Sequence, residues 1–360
     1  MKRIIVISLF VVGLAMAFAV AGNAQQQAST TERSLGARDV AAMSIKGRSL
    51  TSEEADAFEQ TLAKDPNDLT ARFTLISYYS AHFLEKAFKT KKCEHVLWTI
   101  ENIPDSTLLH YLVHTRLSKP DSCFEKGSAL WVKELEANKG NLAVLRNAID
   151  FFMVPDKPRA EQLIKQGAAV EPGNPEWPRQ LGTLYSLQMG TTNGDARREF
   201  AKKAYGHFEL ASKLTEDEQR KRLLRIELAR TAFEAGETSR AVSLATEVLG
   251  ELPKEKEAWA RADLIHNAHL ILGRAALRNG DVAEGKLQLI AAGQVDGSPV
   301  LSSFGPSMLL AKELLDKGER DTVLEYFAEV GAFWKNVKLQ QWIATVKSGG
   351  IPDFGGNSMQ

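Results

Sequence analysis

The chain contains few of the residues and motifs that usually indicate chemistry. It has 360 residues, of which only two are cysteines, and two cysteines alone do not make a structural zinc site, which normally needs four ligands. Neither charge sign is in excess, since 45 basic residues balance 45 acidic ones. A nucleic-acid-binding protein normally carries a basic excess, so this balance argues against a nucleic-acid partner.

Catalytic and cofactor motifs are also missing from the sequence. There is no Gly-x-Ser-x-Gly elbow, no Gly-x4-Gly-Lys-Ser/Thr loop and no Gly-x-Gly-x2-Gly fingerprint, so we expect no cofactor and no enzymatic activity. His110 and His114 lie four residues apart, and His266 and His269 three apart, but neither pair comes with an acidic residue in a known metal-ligand pattern. We interpret these histidines as structural. An enzyme whose catalytic residues are scattered along the chain remains an alternative.

The first 24 residues have the layout of a secretory signal peptide. Lys2 and Arg3 precede an almost wholly apolar run over 4–21, and the small residues of Ala-Gly-Asn-Ala at 21–24 form a cleavage site before Gln25. We therefore expect an exported protein, periplasmic or secreted, whose mature chain starts at Gln25. The alternative is an uncleaved anchor, because an apolar run of this length is near the lower limit for spanning a bilayer. Membrane contact is expected only through such an anchor.

Cys93 and Cys123 both lie in the part that export would place in an oxidising compartment. Two cysteines there favour a disulfide, which would stabilise the fold by about 3 kcal/mol in the loop-entropy model. The alternative is that both are buried as separate thiols.

The rest of the chain reads as a series of helices. No segment alternates apolar and polar residues in the way of a strand. Residues 25–50 are polar and predict a disordered linker, after which Thr51 and Glu54 form a capping-box pattern at a helix start. Further helices, interrupted by Pro66 and Pro104, fill residues 51–140. The last helix is predicted over 334–346, and the Gly-rich residues 348–360 predict a flexible tail.

Residues 141–330 contain a repeated two-helix pattern. In the third unit, for example, Ala229 of the first helix faces Ala241 of the second, so that the two backbones can approach closely. A glycine follows the first helix in three units, where the chain must turn back and a positive φ is needed. The units start at 141, 175, 222, 266 and about 304, which gives spacings of 34, 47, 44 and 38 residues.

This pattern resembles the tetratricopeptide repeat. The resemblance rests on Leu-Gly-x2-Tyr at 181–185 and on Ala-x3-Phe-x2-Ala at 204–211, and it covers about 141–347 well and 51–140 more weakly. It departs from the family in that the usual Trp is displaced or absent and the spacings exceed 34. It implies an all-α, right-handed α-solenoid of antiparallel helix pairs with irregular repeat lengths, closed by a C-terminal capping helix.

Proteins of this family bind other proteins or peptides through the concave surface that the first helices line. In the frame above, basic side chains from successive units share that surface and predict a stripe that grips carboxylates, with apolar contact from Phe233. We expect Arg179, Arg230 and Arg274 to be free of buried acid partners. Changing Arg230 and Arg274 together to Glu would then remove binding without unfolding the protein. The alternative is that they only pair with local acids such as Glu234. The predicted basic positions are Arg179, Arg230, Arg274, Arg278 and Lys312.

Three functions follow from these patterns. The first is an exported, non-enzymatic scaffold that binds a protein or peptide, an acidic one by the stripe, and that acts in cell-envelope assembly. The second is an enzyme or small-ligand-binding protein that uses the divergent N-terminal helical half. The third is a structural module of an envelope complex.

Overall fold

A computed structural model of the chain describes residues 35–82, 84–111, 122–252 and 260–358. All regular structure in these ranges is helical, and they contain no strand, which confirms the all-α fold class. The chain divides into two compact units, and the boundary falls between Pro172 and Gly173. Residues 1–34 lie outside the described residues. They comprise the predicted signal peptide and residues 25–34 of the predicted linker. His114 lies outside the described residues as well.

The N-terminal unit contains seven α-helices and one 3-10 turn among its described residues. Most of these helices pack on their neighbours in sequence, and α1 also packs on α3. Their bounds are α1 Ala37–Arg48, α2 Ser52–Lys64, α3 Leu69–Ala81, α4 Lys86–Asn102, the 3-10 turn Thr107–Tyr111, α5 Ser122–Ala137, α6 Leu142–Phe152 and α7 Lys157–Val170.

The first helix corrects the prediction of a disordered linker over 25–50. Helix α1 buries Val40, Met43 and Gly47, which recur at helical spacing among otherwise exposed positions. At Gly47 the helix lies so close to α3 that an added Cβ would stand 2.3 Å from the carbonyl oxygen of Thr74. The missing side chain is thus what allows α1 to dock, and the low apolar content hid this helix in the sequence.

Two local predictions in this unit are confirmed. The Thr51 hydroxyl accepts from the Glu54 amide at 3.2 Å, and the Glu54 carboxylate accepts from the Thr51 amide at 2.8 Å, which completes the capping box of α2. Cys93 of α4 and Cys123 of α5 form a disulfide, with Cα atoms 5.7 Å apart. The bond ties α4 to α5 across the 3-10 turn.

The C-terminal unit contains ten α-helices among its described residues. Four of the five predicted repeat units lie here, and each corresponds to a pair of packed helices: α8 with α9, α10 with α11, α12 with α13, and α15 with α16. The first predicted unit corresponds to α6 and α7 of the N-terminal unit, which also pack together. Their bounds are α8 Glu176–Met189, α9 Gly194–Leu214, α10 Glu218–Ala235, α11 Thr238–Gly250, α12 Arg261–Arg278, α13 Val282–Gly293, α14 Pro299–Phe304, α15 Leu309–Leu315, α16 Arg320–Phe333 and α17 Val337–Lys347.

The long repeat spacings have a simple structural cause. Helix α9 has 21 residues, and α10 and α12 have 18 each, so the pairs are longer than the pattern requires. The short helix α14 is inserted before the last pair. Ala229 and Ala241, which were predicted to face each other, are both fully buried, and the helices that carry them, α10 and α11, pack together.

The chain reverses at glycines in the way the sequence predicted. Gly236, Gly280 and Gly318 have φ of 95°, 83° and 88°, and each follows the first helix of a pair. Residues with a Cβ rarely adopt this left-handed region, whereas glycine does so without strain.

The segment after α17 corrects the prediction of a flexible tail over 348–360. Phe354 is buried and stacks edge-on against Trp342, with ring centroids 5.0 Å apart. The Asn357 side-chain amide donates to the carbonyl oxygens of Phe304 and Pro306, both at 3.0 Å. The Asn357 carbonyl accepts from the Met308 amide at 2.7 Å. One aromatic ring and one amide therefore fix a segment that its glycines made appear loose.

Candidate functional site: an arginine and glutamate network

A buried network of ion pairs in the C-terminal unit centres on Glu234, near the end of α10. Its two carboxylate oxygens accept from different arginines, with Arg197 Nε 2.7 Å from Oε2 and Arg274 Nη1 2.8 Å from Oε1. Only 5% of the Glu234 side chain is exposed. Burial opposes ionisation of this carboxyl, but the hydrogen bond from Arg197 and the charge of Arg274 outweigh it and lower the pKa to about 2. Glu234 is therefore a fixed buried anion.

The network continues across the neighbouring helices. Arg274 of α12 also donates from Nε to Glu313 of α15 at 2.8 Å, and Arg197 donates from Nη1 to the Met189 carbonyl at 3.1 Å. Burial alone would lower the pKa of Arg274, yet the charges of Glu313 and Glu234 raise it. Groups from four predicted repeat units are thus joined in one chain of ion pairs.

Phe233 carries two guanidinium groups on its ring. The guanidinium carbon of Arg278 lies 3.4 Å from the ring centroid and that of Arg274 lies 4.5 Å from it. In such cation–π contacts a cation is attracted to the face of an aromatic ring, and the cation is more often arginine than lysine. The Phe233 side chain is only 2% exposed, so the predicted apolar contact between this ring and a ligand is wrong: the arginines already cover it.

Arg278 differs from the other arginines of the site. It donates from Nη1 to the Phe233 carbonyl at 2.6 Å, and no carboxylate among the described residues lies within ion-pair distance of it. More than a third of its surface is exposed. Partial burial, and then the nearby charge of Arg274, lower the pKa of Arg278. An arginine side chain nevertheless stays protonated in proteins. Arg278 is a positioned cation with donors left for a ligand.

The other predicted stripe positions make local ion pairs. Arg179 donates from Nε to Glu176 at 2.8 Å, Arg230 pairs with Glu227, and Lys312 pairs with Asp316 at 3.1 Å. Each partner lies three or four residues away on the same helix or its end, which is the usual spacing of ion pairs along a helix.

The expectation that the arginines are free of buried acid partners is therefore wrong for Arg274. Only 11% of its side chain is exposed, and it holds two carboxylates, so it is no surface position. Changing it to Glu would set three acids together and unfold this region rather than only remove binding. The alternative, in which the stripe arginines pair with acids such as Glu234, is therefore the one that holds for Arg274. Its second partner, Glu313, was not predicted, because it lies 39 residues further along the chain.

His266 and His269 bond to separate groups and do not share a ligand site within the described ranges. The His266 ring is fully buried and bonds through Nδ1 to the Ala292 carbonyl at 2.8 Å, whereas His269 bonds to Gln288 Oε1 at 2.6 Å. Burial lowers the pKa of His266 to about 4. His110 contacts Asp150 at 2.7 Å. Within the described ranges no group of three or more His, Cys, Asp or Glu side chains is arranged to hold a metal ion.

Comparison with protein-family models found no match, and comparison with curated proteins found no similar sequence. None of the helices in the described ranges is long and apolar enough to cross a bilayer.

Proposed function

We propose that this protein is an exported, non-enzymatic scaffold of the tetratricopeptide type, a right-handed solenoid of helix pairs that binds an acidic protein or peptide. The ligand surface is the one lined by the first helices α10, α12 and α15. The single observation that carries the proposal is Arg278, a guanidinium fixed on Phe233 with no carboxylate partner of its own among the described residues.

The chemistry of this surface favours a carboxylate ligand. Arg274 is already saturated by Glu234 and Glu313, so its role is to hold the neighbouring helices and Phe233 in place. Arg278 is thereby positioned without losing its own donors. A guanidinium whose orientation is fixed in advance loses little entropy when it forms a two-pronged hydrogen bond with a carboxylate.

A labelled hexaglutamate peptide is the probe for this proposal. We expect measurable binding by fluorescence anisotropy at low salt, and we expect salt to weaken it because exposed charges are screened. Arg278→Gln should weaken binding by about tenfold, the value of one charge-assisted hydrogen bond. Arg38→Gln is the matched control, since Arg38 is an exposed arginine of the N-terminal unit. Equal effects of the two changes, or no binding at low salt, would rule out this surface.

A further inference from the structure

A second buried charged cluster lies in the N-terminal unit, where α2, α3 and α4 pack together. His95 of α4 is its centre and is only 5% exposed. Its Nδ1 lies 3.2 Å from Nη1 of Arg72 on α3, and its Nε2 lies 3.2 Å from Oε1 of Glu59 on α2. One imidazole thus joins side chains from three helices.

The partners of this ring determine where its proton is. Arginine is a donor only, so Nδ1 must accept from Arg72, and the ring proton is on Nε2, which donates to Glu59. This is a neutral imidazole. A second proton would go on Nδ1, and it would point at the Arg72 guanidinium, which has no lone pair to accept it.

Arg72 has little room to move away from such a proton. It is 5% exposed, it donates from Nη2 to the Pro66 carbonyl at 2.5 Å, and its guanidinium carbon lies 3.6 Å from the centroid of the Trp98 ring. Protonated His95 and Arg72 would therefore be two cations with opposed donors in a buried site. Repulsion of that kind is relieved by separating the helices that carry them.

Other charged and titratable groups also surround His95 and its partners. Glu59 is held by Tyr79 Oη at 2.7 Å and lies 3.9 Å from Lys91 Nζ, so its charge is already shared. Burial and the charges of Arg72 and Lys91 lower the pKa of His95, although Glu59 opposes this. Helix α5, which also packs on α4, is joined to it by the disulfide, which does not titrate.

We propose that Arg72, His95 and Glu59 form an acid-sensitive joint, in which protonation of His95 breaks its contact with Arg72 and loosens α4 from α3. The direction of the pH effect follows because His95 binds a proton less readily in the fold than in the unfolded chain, so acid favours unfolding. The neutral ring stabilises the unit above the pH at which a free histidine titrates, and this stability is lost as the pH falls through the lower value in the fold. The disulfide keeps α4 on α5, so the loosening is confined to its contact with α3.

Hydrogen exchange of the full chain at pH 7.5 and pH 5, corrected for the intrinsic rate, tests the joint. We expect the protection of amides in α3 and α4 to fall at pH 5, by up to about tenfold for each pH unit below the ordinary histidine value. His95→Gln offers an amide that accepts from Arg72 and donates to Glu59 at every pH, so the acid effect should disappear. His110→Gln is the matched control and should keep it.

A second measurement covers the case in which His95→Gln fails to fold. Nitrogen NMR of the histidine-labelled wild type should show Nδ1 of His95 unprotonated at pH 7, and it should titrate below the ordinary range. An Nδ1-protonated ring at pH 7 would overturn the proposal. So would unchanged exchange in α3 and α4 at pH 5, or an equal acid effect in His95→Gln and the wild type.

Discussion

Arg274 donates a hydrogen bond to Glu234 across the contact between α12 and α10, with 11% and 5% of the two side chains exposed. Replacing Arg274 by Met should lower the free energy of unfolding by about 3 kcal/mol, because two carboxylates lose a buried partner. Urea unfolding measures this. Arg225→Met is the control, since Arg225 pairs with Glu247 and Glu251 at the surface and should cost under about 1 kcal/mol. Similar losses in both variants would show that burial adds nothing to the pair.

Asp263 of α12 is a partly buried acid that should lower stability at neutral pH. Burial raises its pKa to about 6, and the hydrogen bond from the Ser298 hydroxyl, at 2.9 Å, only partly offsets that. A raised carboxyl pKa means stability that is present below about pH 4 and is lost as the pH rises through 6. Asp263→Asn keeps the acceptor, so it should stabilise the protein by about 2 kcal/mol at pH 7.5 and by little at pH 4.

The control for this change is Asp195→Asn. Asp195 is almost fully exposed, so its replacement should leave the free energy of unfolding unchanged at both pH values. His266 acts in the opposite direction, since its pKa of about 4 means stability lost as the pH falls below the ordinary histidine range. The comparison is therefore made between variants at one pH. A destabilised Asp263→Asn at pH 7.5 would contradict the prediction.

The disulfide leads to a prediction about free thiols and stability. Labelling of the denatured, unreduced chain should find no free thiol, because Cys93 and Cys123 are bonded. Replacing both by Ser should lower the free energy of unfolding by about 3 kcal/mol, as expected for a loop of this size. Two reactive thiols in the unreduced protein would refute the bond.

Docking of α1 depends on the absence of a side chain at Gly47. Gly47→Ala would place a Cβ 2.3 Å from the Thr74 carbonyl oxygen, which belongs to a helix backbone and has little freedom to shift. We expect a loss of about 1 to 3 kcal/mol and faster proteolysis before Leu50. Gly250→Ala, where the added Cβ meets nothing within 4 Å, is the control and should be neutral or slightly stabilising. Docking would be unimportant if the two variants behaved alike.

The signal peptide remains a prediction that protein chemistry tests directly. Mass spectrometry of protein exported from cells should find a chain that starts at Gln25, because small residues at 22 and 24 stand at −3 and −1 before the cleavage site. A full-length species retained in the membrane would favour the anchor instead.

The sequence predicted those parts of the fold that depend on local devices. The capping box at Thr51 and the turn at Gly236 each act within a few residues, so their geometry follows from residue type. Helix α1 was missed because only Val40, Met43 and Gly47 lie on its buried face, and a glycine gives no apolar signal. The tail was missed because it is held by contacts of single residues with distant segments, such as that of Asn357.

The candidate site was also predicted only where it depends on local sequence. The pattern placed Arg274 and Arg278 on one helix, four residues apart, and that placement is correct. Which of them is saturated depends on Glu234 and Glu313, which no spacing rule connects to either arginine. The same holds for His95 and Arg72, which are 23 residues apart and meet only because α3 and α4 pack.

Asn357 also constrains the order in which the C-terminal unit can be completed. The carbonyl oxygens of Phe304 and Pro306 receive their donor from a residue 53 and 51 positions later. During synthesis, the loop before α15 therefore emerges long before the amide that holds it, and it stays incomplete until Asn357 has been made. A nascent chain stalled before that point would present this loop unfinished to chaperones and proteases, whereas the released protein would not.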